Sequence, residues 1–372
     1  MIFEMRGDTI VTSKERFLAV CEHRYPDRVP INYVATPDID RRLREYYGAG
    51  SERDLLDRLG CDFYFLSVRD ISQNETFYSI YRGPELPMTE TERTCPFGIR
   101  YQRKVFKGKF AADEAIRGPL EGATSVQDVL KHPMPKPEWF DMDPLLEECE
   151  EFSDRVIIGG FWTAIFGNSY RMHGFSDFLL NMALRPEVIK TLVGRMTDFY
   201  LSLNDRMFSR LKGKIDIWYI GNDYGTQHGL LFSRDMWLDF FSAATRRLAD
   251  LAHSYGLKVM AHSCGGISEI IDPMIEAGVD ILDPVQTTAV GMEPERLKER
   301  FGKRIVFHGA IDTQNVLPKG SPEEVESHAR ETIRVLGKDG GYIFASCNSI
   351  QGDTSPENID GLYRAAREYS LP

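Results

Sequence analysis

A single (β/α)8 barrel of the TIM type follows from three features of the sequence. Eight short runs rich in β-branched and aromatic residues recur along the 372 residues. They are almost continuously apolar, as strands covered on both faces must be. Segments of helical periodicity separate them, and no Gly/Ser/Pro-rich linker divides the chain in two.

In order, the runs are Val29–Tyr33, Cys61–Ser67, Val156–Phe161, Ile215–Gly221, Lys258–His262, Asp280–Val285, Ile305–Gly309 and Tyr342–Ser346. The helices between them carry their own end signals. Thr12-Ser13-Lys14-Glu15 opens the first. Pro186 begins another, with Val188, Leu192, Met196 and Phe199 on one face. Ser233 starts a helix carrying Trp237, Phe240, Phe241, Ala244 and Leu248, which ends before Gly256. Ser321-Pro322-Glu323-Glu324 combines an N-cap, an N1 proline and a capping-box glutamate, and Ser355-Pro356 opens the last helix. The expected organisation is one barrel domain over 1–372 with an irregular insertion at 68–155, between the second and third strands. Within it Glu75–Tyr81 and Gly98–Phe110 read as hairpins over one end of the barrel, either as decoration or as a substrate lid.

Composition narrows the function. The 45 Lys+Arg against 56 Asp+Glu give a net charge of −11, and no basic cluster rises above that background. Nucleic acid and anionic membrane surfaces are therefore excluded as partners, leaving a small molecule or another protein. No run approaches the roughly 18 apolar residues of a membrane helix, and the opening Met1–Asp8 lacks the apolar stretch of a signal peptide. The expected location is cytoplasmic. There, six cysteines make no disulfide framework, and Cys21, Cys61, Cys95 and Cys149 read as small buried hydrophobes.

The other two cysteines sit where chemistry belongs. Active sites of such barrels lie at the C-terminal strand ends. One run ends Ala261-His262-Ser263-Cys264-Gly265-Gly266 and the last ends Ala345-Ser346-Cys347-Asn348. Residues i and i+2 of a strand face the same way, so His262 and Cys264 point into one space that Cys347 can reach across the mouth. One imidazole and two thiolates suit Zn2+ with a fourth position open, the pattern of a catalytic site.

The motifs Asn222-Asp223-Tyr224-Gly225, His262-Ser263-Cys264-Gly265-Gly266, Asp283-Pro284-Val285-Gln286, Gly309-Ala310-Ile311-Asp312 and Thr354-Ser355-Pro356-Glu357, with Ser13–Phe17 and Pro26-Asp27-Arg28-Val29-Pro30 near the start, resemble the uroporphyrinogen decarboxylase superfamily. The resemblance implies a (β/α)8 barrel. A true decarboxylase follows its first strand with an arginine-rich carboxylate clamp, whereas this chain has Ile31-Asn32-Tyr33-Val34-Ala35-Thr36-Pro37, and Asn348 stands where the decarboxylase carries a His. Without bidentate donors a substrate with eight carboxylates loses affinity and orientation. What remains resembles the methylcobamide:coenzyme M methyltransferase branch, whose zinc pattern falls on His262, Cys264 and Cys347.

That resemblance implies a zinc-dependent methyltransferase working with a methylcobamide (cobalamin) carried on a separate corrinoid protein. Its small-molecule methyl donor or acceptor is a thiol or a methoxylated compound, and a homodimer is the ordinary assembly. Asp283, Gln286 and Asp312 are candidates for a fourth ligand or for orienting His262, against a simpler role in tying loops. Asp223 and Tyr224 are candidates for substrate contact, against a plain turn. Trp162 and Phe161, with Phe166, could form a wall against the cobamide or an aromatic substrate, against core packing. His308 reads as a barrel-core imidazole. A metal-free lyase for a carboxylated substrate and a non-catalytic corrinoid- or thiol-binding module are the alternatives.

Overall fold

In this computed structural model, which describes residues 11–106 and 110–371, the strands in chain order are β1 (Phe63–Phe65), β2 (Glu92–Thr94), β3 (Arg100–Phe106), β4 (Phe110–Arg117), β5 (Val156–Gly159), β6 (Ile217–Gly221), β7 (Gly225–Thr226), β8 (Gly229–Leu230), β9 (Lys258–His262), β10 (Ile281–Asp283), β11 (Val306–Ile311) and β12 (Tyr342–Ser346). The opening Met1–Asp8 lies outside the described residues. Seven strands form a curled parallel sheet in the order β1-β5-β6-β9-β10-β11-β12, and helices follow most of them in the alternation of a TIM-type barrel.

The eighth expected strand, Val29–Tyr33, is a correction. Only Ile31 bridges to Phe344 there. Pro30 has no N–H to give a ladder, and the Ile31 N–H goes to the Asp62 carboxylate at 2.8 Å. The segment nevertheless closes the gap between the two edge strands. Asn32 N–H donates to the Phe344 carbonyl at 2.8 Å, Phe344 N–H to Pro30 at 2.9 Å, and Asp62 N–H to Ile31 at 2.8 Å.

Alternation along the strands decides what faces inward. Phe63, Phe65, Val156, Ile158, Ile217, Tyr219, Met260, Ile281, Val306 and Ile343 fill the barrel interior, and Phe17 and Val20 of the helix Ser13–Cys21 plug its floor. The next inward positions of β9, β10 and β11 are polar, namely His262, Asp283 and His308. The apolar filling therefore gives way to a polar layer at the C-terminal mouth.

Asp62 ties the floor together. Its buried carboxylate accepts from Arg16 (2.6 Å), Arg28 (2.7 Å), Ser13 Oγ (3.0 Å) and the Ile31 N–H. Arg16 also forks onto Asp27 at 2.7 and 2.6 Å. The Pro26–Pro30 motif thus anchors the first helix beneath the barrel.

The capping signals hold at Thr12 and Ser321, where both halves of the capping box form, and at Ser233 and Ser355. The helix begun at Pro186 runs to Arg210, and one π turn at Leu238–Ser242 interrupts the helix begun after Ser233. In the 68–155 region, the hairpin expected near Gly98–Phe110 is found as β3–β4, with β2 added antiparallel. Glu75–Tyr81 is not a hairpin: Glu75–Ser79 is a 3-10 helix, and Phe77 buries fully from it. Among the described residues no helix is long and apolar enough to cross a membrane.

Candidate active site

His262 ends β9 facing into the mouth, and its surroundings determine which ring nitrogen is available. The Tyr33 N–H donates to Asn32 Oδ1 at 2.9 Å, so the Asn32 amide presents Nδ2 to His308 Nε2, also at 2.9 Å. His308 therefore carries its proton on Nδ1 and donates it to Asp283 Oδ1 at 2.6 Å. The other oxygen, Oδ2, accepts from Tyr219 OH at 2.9 Å and from His262 Nδ1 at 2.6 Å. His262 Nε2 is left facing Cys264 Sγ at 3.3 Å and Asp223 Oδ1 at 3.5 Å.

The backbone holds these groups in register. The Cys264 N–H donates to Asp223 Oδ1 at 2.9 Å, and the Gly265 N–H to Gln286 Oε1 at 2.8 Å. Gly265 has φ +92°, and a side chain there would run into the backbone of Gly225 and Thr226. The glycine after Cys264 is thus required by the turn that brings this loop against the β7–β8 hairpin.

Electrostatics follow the same contacts. Burial opposes a charged Asp283, but His308 and His262 outweigh it and hold that carboxyl well below the usual range. Burial likewise disfavours a charged His262, yet Tyr219, Cys264, Asp283 and Asp223 raise its pKa well above the ordinary imidazole value. Asp223, whose side chain is more than half exposed, is held below its usual value by His262 and the Cys264 N–H.

Asp223, His262 and Cys264 form the cluster whose donor atoms lie within 4.8 Å of one another. Of the expected trio, His262 and Cys264 stand together in this cluster, and Cys347 lies on the wall of the cavity that Cys264 also lines. Cys347 Sγ donates to the Val285 carbonyl at 3.1 Å, and burial pushes its thiol up to about 12. An uncharged thiol in a buried wall takes the nearest carbonyl acceptor. Asn348 Nδ2 lies 3.7 Å from Cys264 Sγ.

Two cavities meet at Cys347 and Asn348. The larger, about 410 Å³, is lined by Phe65, Trp162, Tyr219, His262, Asp283 and His308 among others. The smaller, about 280 Å³, lies against Cys264, Gly265, Gln286 and Asp312. Trp162 stands 4.9 Å from the His262 ring and 5.4 Å from Tyr219.

Other expected residues sit elsewhere. Phe161 is fully buried in the outer core, as is Phe166, so neither forms a wall of the mouth. Tyr224 packs among Phe166, Trp237 and Phe241, and only its backbone N–H touches the site, at Ser263 Oγ. Asp312 caps the following turn through the Gln314 and Asn315 N–H groups, the loop-tying role, while still lining the smaller cavity. Tyr219 and Asn32, which complete the Asp283 network, were not among the expected site residues.

A β-carbon on Gly221 would land on the Trp162 indole. Gly221→Ala is expected to cost about 1–3 kcal/mol through overpacking and to change the indole emission, both read in one fluorescence-monitored urea titration.

A family profile described as uroporphyrinogen decarboxylase (URO-D) matches residues 121–369. The chain belongs to this family. It is similar to the uroporphyrinogen decarboxylase of Magnetococcus marinus, 25% identical over 57% of this chain and 58% of that protein. The chain thus spans less than two thirds of that relative's length. It also resembles the methylated-thiol–coenzyme M methyltransferase of Methanosarcina mazei, 27% identical over 38% of this chain and 35% of that protein. A solved methyltransferase from Methanosarcina mazei shares the fold, with TM-score 0.67, 17% identity and coverage of 96% of this chain and 98% of that one. The proteins it resembles thus include both a decarboxylase and a methyltransferase.

Proposed function

We propose that this chain is a zinc-dependent methyltransferase, moving a methyl group between a corrinoid on a partner protein and a thiol or methoxylated small molecule held in the 410 Å³ cavity. The observation that carries the reading is the His262 ring, clamped through Nδ1 by Asp283 with Nε2 turned toward Cys264 and Asp223. A carboxylate that orients an imidazole through its far nitrogen is the usual support of a metal-ligating histidine.

The donor set fits the metal. Imidazole nitrogen and thiolate sulfur suit borderline-soft Zn2+, Asp223 adds an oxygen, and Cys347 on the adjoining wall is a second sulfur available to the site. When bound, Zn2+ supplies Lewis acidity that makes a neighbouring thiol more acidic or an ether oxygen a better leaving atom.

The chain's own residues supply the rest. Asp283 fixes the His262 tautomer, and Tyr219 and His308 hold Asp283 in turn. Trp162 and Phe65 give the cavity an apolar side that limits water. The methyl group moves as a CH3+ equivalent: the acceptor's lone pair forms the new bond, and the electrons of the old bond stay with the leaving atom. Such a displacement needs in-line approach, and the mouth at the strand ends is where a partner's corrinoid would meet the substrate. Residues 1–372 are read as one barrel domain with the 68–155 insertion, acting in the cytoplasm as a homodimer.

The competing lyase reading draws on the decarboxylase relatives, but segment 31–37 contributes only Val34 to the cavity. Elemental analysis with zinc-edge absorption decides between them: about one zinc per chain with an imidazole and at least one sulfur supports the proposal, and a metal-free active protein overturns it. Zinc without methyl transfer from methylcobalamin to a thiol panel would mark a binding module instead. Asp283→Asn is expected to weaken zinc binding about 10–100-fold, measured by competition with a chelator.

A further inference from the structure

We propose that Arg69 and Arg171 form an anion-binding subsite in the 410 Å³ cavity, and that the small molecule it serves is a flat aromatic carboxylate. The inference rests on the methyl-transfer reading of the same site and specifies its substrate class.

Among the described residues the three buried arginines each meet a carboxylate. Arg16 pairs with Asp27 and Asp62, Arg93 with Asp113, and Arg155 with Asp57. The two cavity arginines differ. Among the described residues, Arg171 donates only to the neutral Asn168 Oδ1 at 3.4 Å and Gln73 Oε1 at 3.2 Å, and lies against the Tyr170 ring. Arg69 makes no hydrogen bond there at all: its guanidinium stands 4.7 Å over the Phe65 ring. Both line the cavity. Both are partly buried, and a planar guanidinium fork with no carboxylate bonded to it is the donor that matches an incoming one.

The acidic residues around the cavity are already engaged. Asp70 accepts from Ser72 N–H, Ser72 Oγ and Gln73 N–H through one oxygen. Asp283 holds two imidazoles and a phenol. Asp223 faces His262 and the Cys264 N–H. Asp70 and Asp223 act on Arg171 from a distance, and Asp40 and Glu52 on Arg69, but among the described residues none of these carboxylates hydrogen-bonds to either guanidinium, so both forks are open to an incoming anion.

One side of the wall is aromatic. Phe65 and Tyr219 lie 5.3 Å apart, Tyr219 and Trp162 5.4 Å, and Trp162 stands beside His262. An aromatic ring against these faces gains stacking as well as burial. Two arginines suffice for one carboxylate, whereas a tetrapyrrole with eight would need more cations.

The test is calorimetric binding to the full chain, as purified and after chelation, with 3-methoxybenzoate, 3-methoxybenzamide and 3-mercaptopropionate as probes. The benzoate is expected to bind at least roughly 30-fold more tightly than the other two, and Arg69→Gln and Arg171→Gln are each expected to weaken it about tenfold while leaving the benzamide unchanged. Equal binding of acid and amide, equal binding of the aliphatic acid, no binding of the benzoate, or indifference to both substitutions would each overturn the proposal. Should Arg171→Gln fail to fold by circular dichroism, Arg69→Gln and Arg171→Lys carry the comparison. Binding is read apart from turnover: benzoate bound without methyl transfer refutes the parent reading and spares the subsite, and transfer without benzoate selectivity does the reverse.

Discussion

Cys264→Ser is expected to strip the purified protein of zinc and to lower methyl transfer by about 10³-fold or more, the scale of losing several kcal/mol of Lewis-acid stabilisation. The reason lies in the donor atom. A thiolate is a soft ligand that deprotonates readily beside a cation, whereas a serine hydroxyl keeps its proton and binds zinc poorly. Cys264 is also the better placed of the two sulfurs, 3.3 Å from His262 Nε2, while Cys347 is turned to the Val285 carbonyl. Metal content by plasma emission and transfer from methylcobalamin should fall together, with the circular dichroism unchanged because Cys264 is partly exposed and its backbone N–H bond to Asp223 survives. Full zinc content in the serine variant would remove the proposed site. The parallel Cys347→Ser variant then reports whether the second sulfur joins the metal or remains a wall.

Asp62→Ala is expected to destabilise the fold by about 3–5 kcal/mol, because removing one partner leaves the others buried and uncompensated. Arg16 and Arg28 would lose their shared anion, and the Ile31 N–H its acceptor, at the one barrel position where a regular strand is missing. With an unfolding entropy near 2.1 cal/mol/K per residue, this corresponds to a fall in Tm of roughly 5 °C. Urea unfolding and calorimetry check it. A change under about 1 kcal/mol, the size of a surface ion pair, would show that the floor network is not what closes the barrel.

These two sites differ in how much of them the residues reveal. The strand runs Lys258–His262 and Tyr342–Ser346 match β9 and β12 residue for residue, since buried parallel strands are continuous apolar runs. Val29–Tyr33 looks the same but is not a regular strand, because Pro30 has no N–H to donate and the distant Asp62 takes that of Ile31. Asp283 was legible as a partner for His262 from its place at a strand end. Tyr219 had a signal too, as the inward residue two places before Gly221, yet nothing local separates it from Ile217. Phe161 and Tyr224 were misplaced because an aromatic residue at a strand end packs equally well inward or outward.

From the sequence alone came the alternating strand–helix order, the location of polar residues at strand ends, and the pairing of His262 with Cys264 on one face. All of these depend on period-two geometry within a few residues. Only the tertiary structure decided that Asp223 stands close to His262 and Cys264, that Asp283 is shared by two histidines, and that Arg69 and Arg171 face one cavity without a carboxylate bonded to either. Each of those depends on side-chain directions across strands and loops far apart in the chain, and neither propensity nor spacing carries that information.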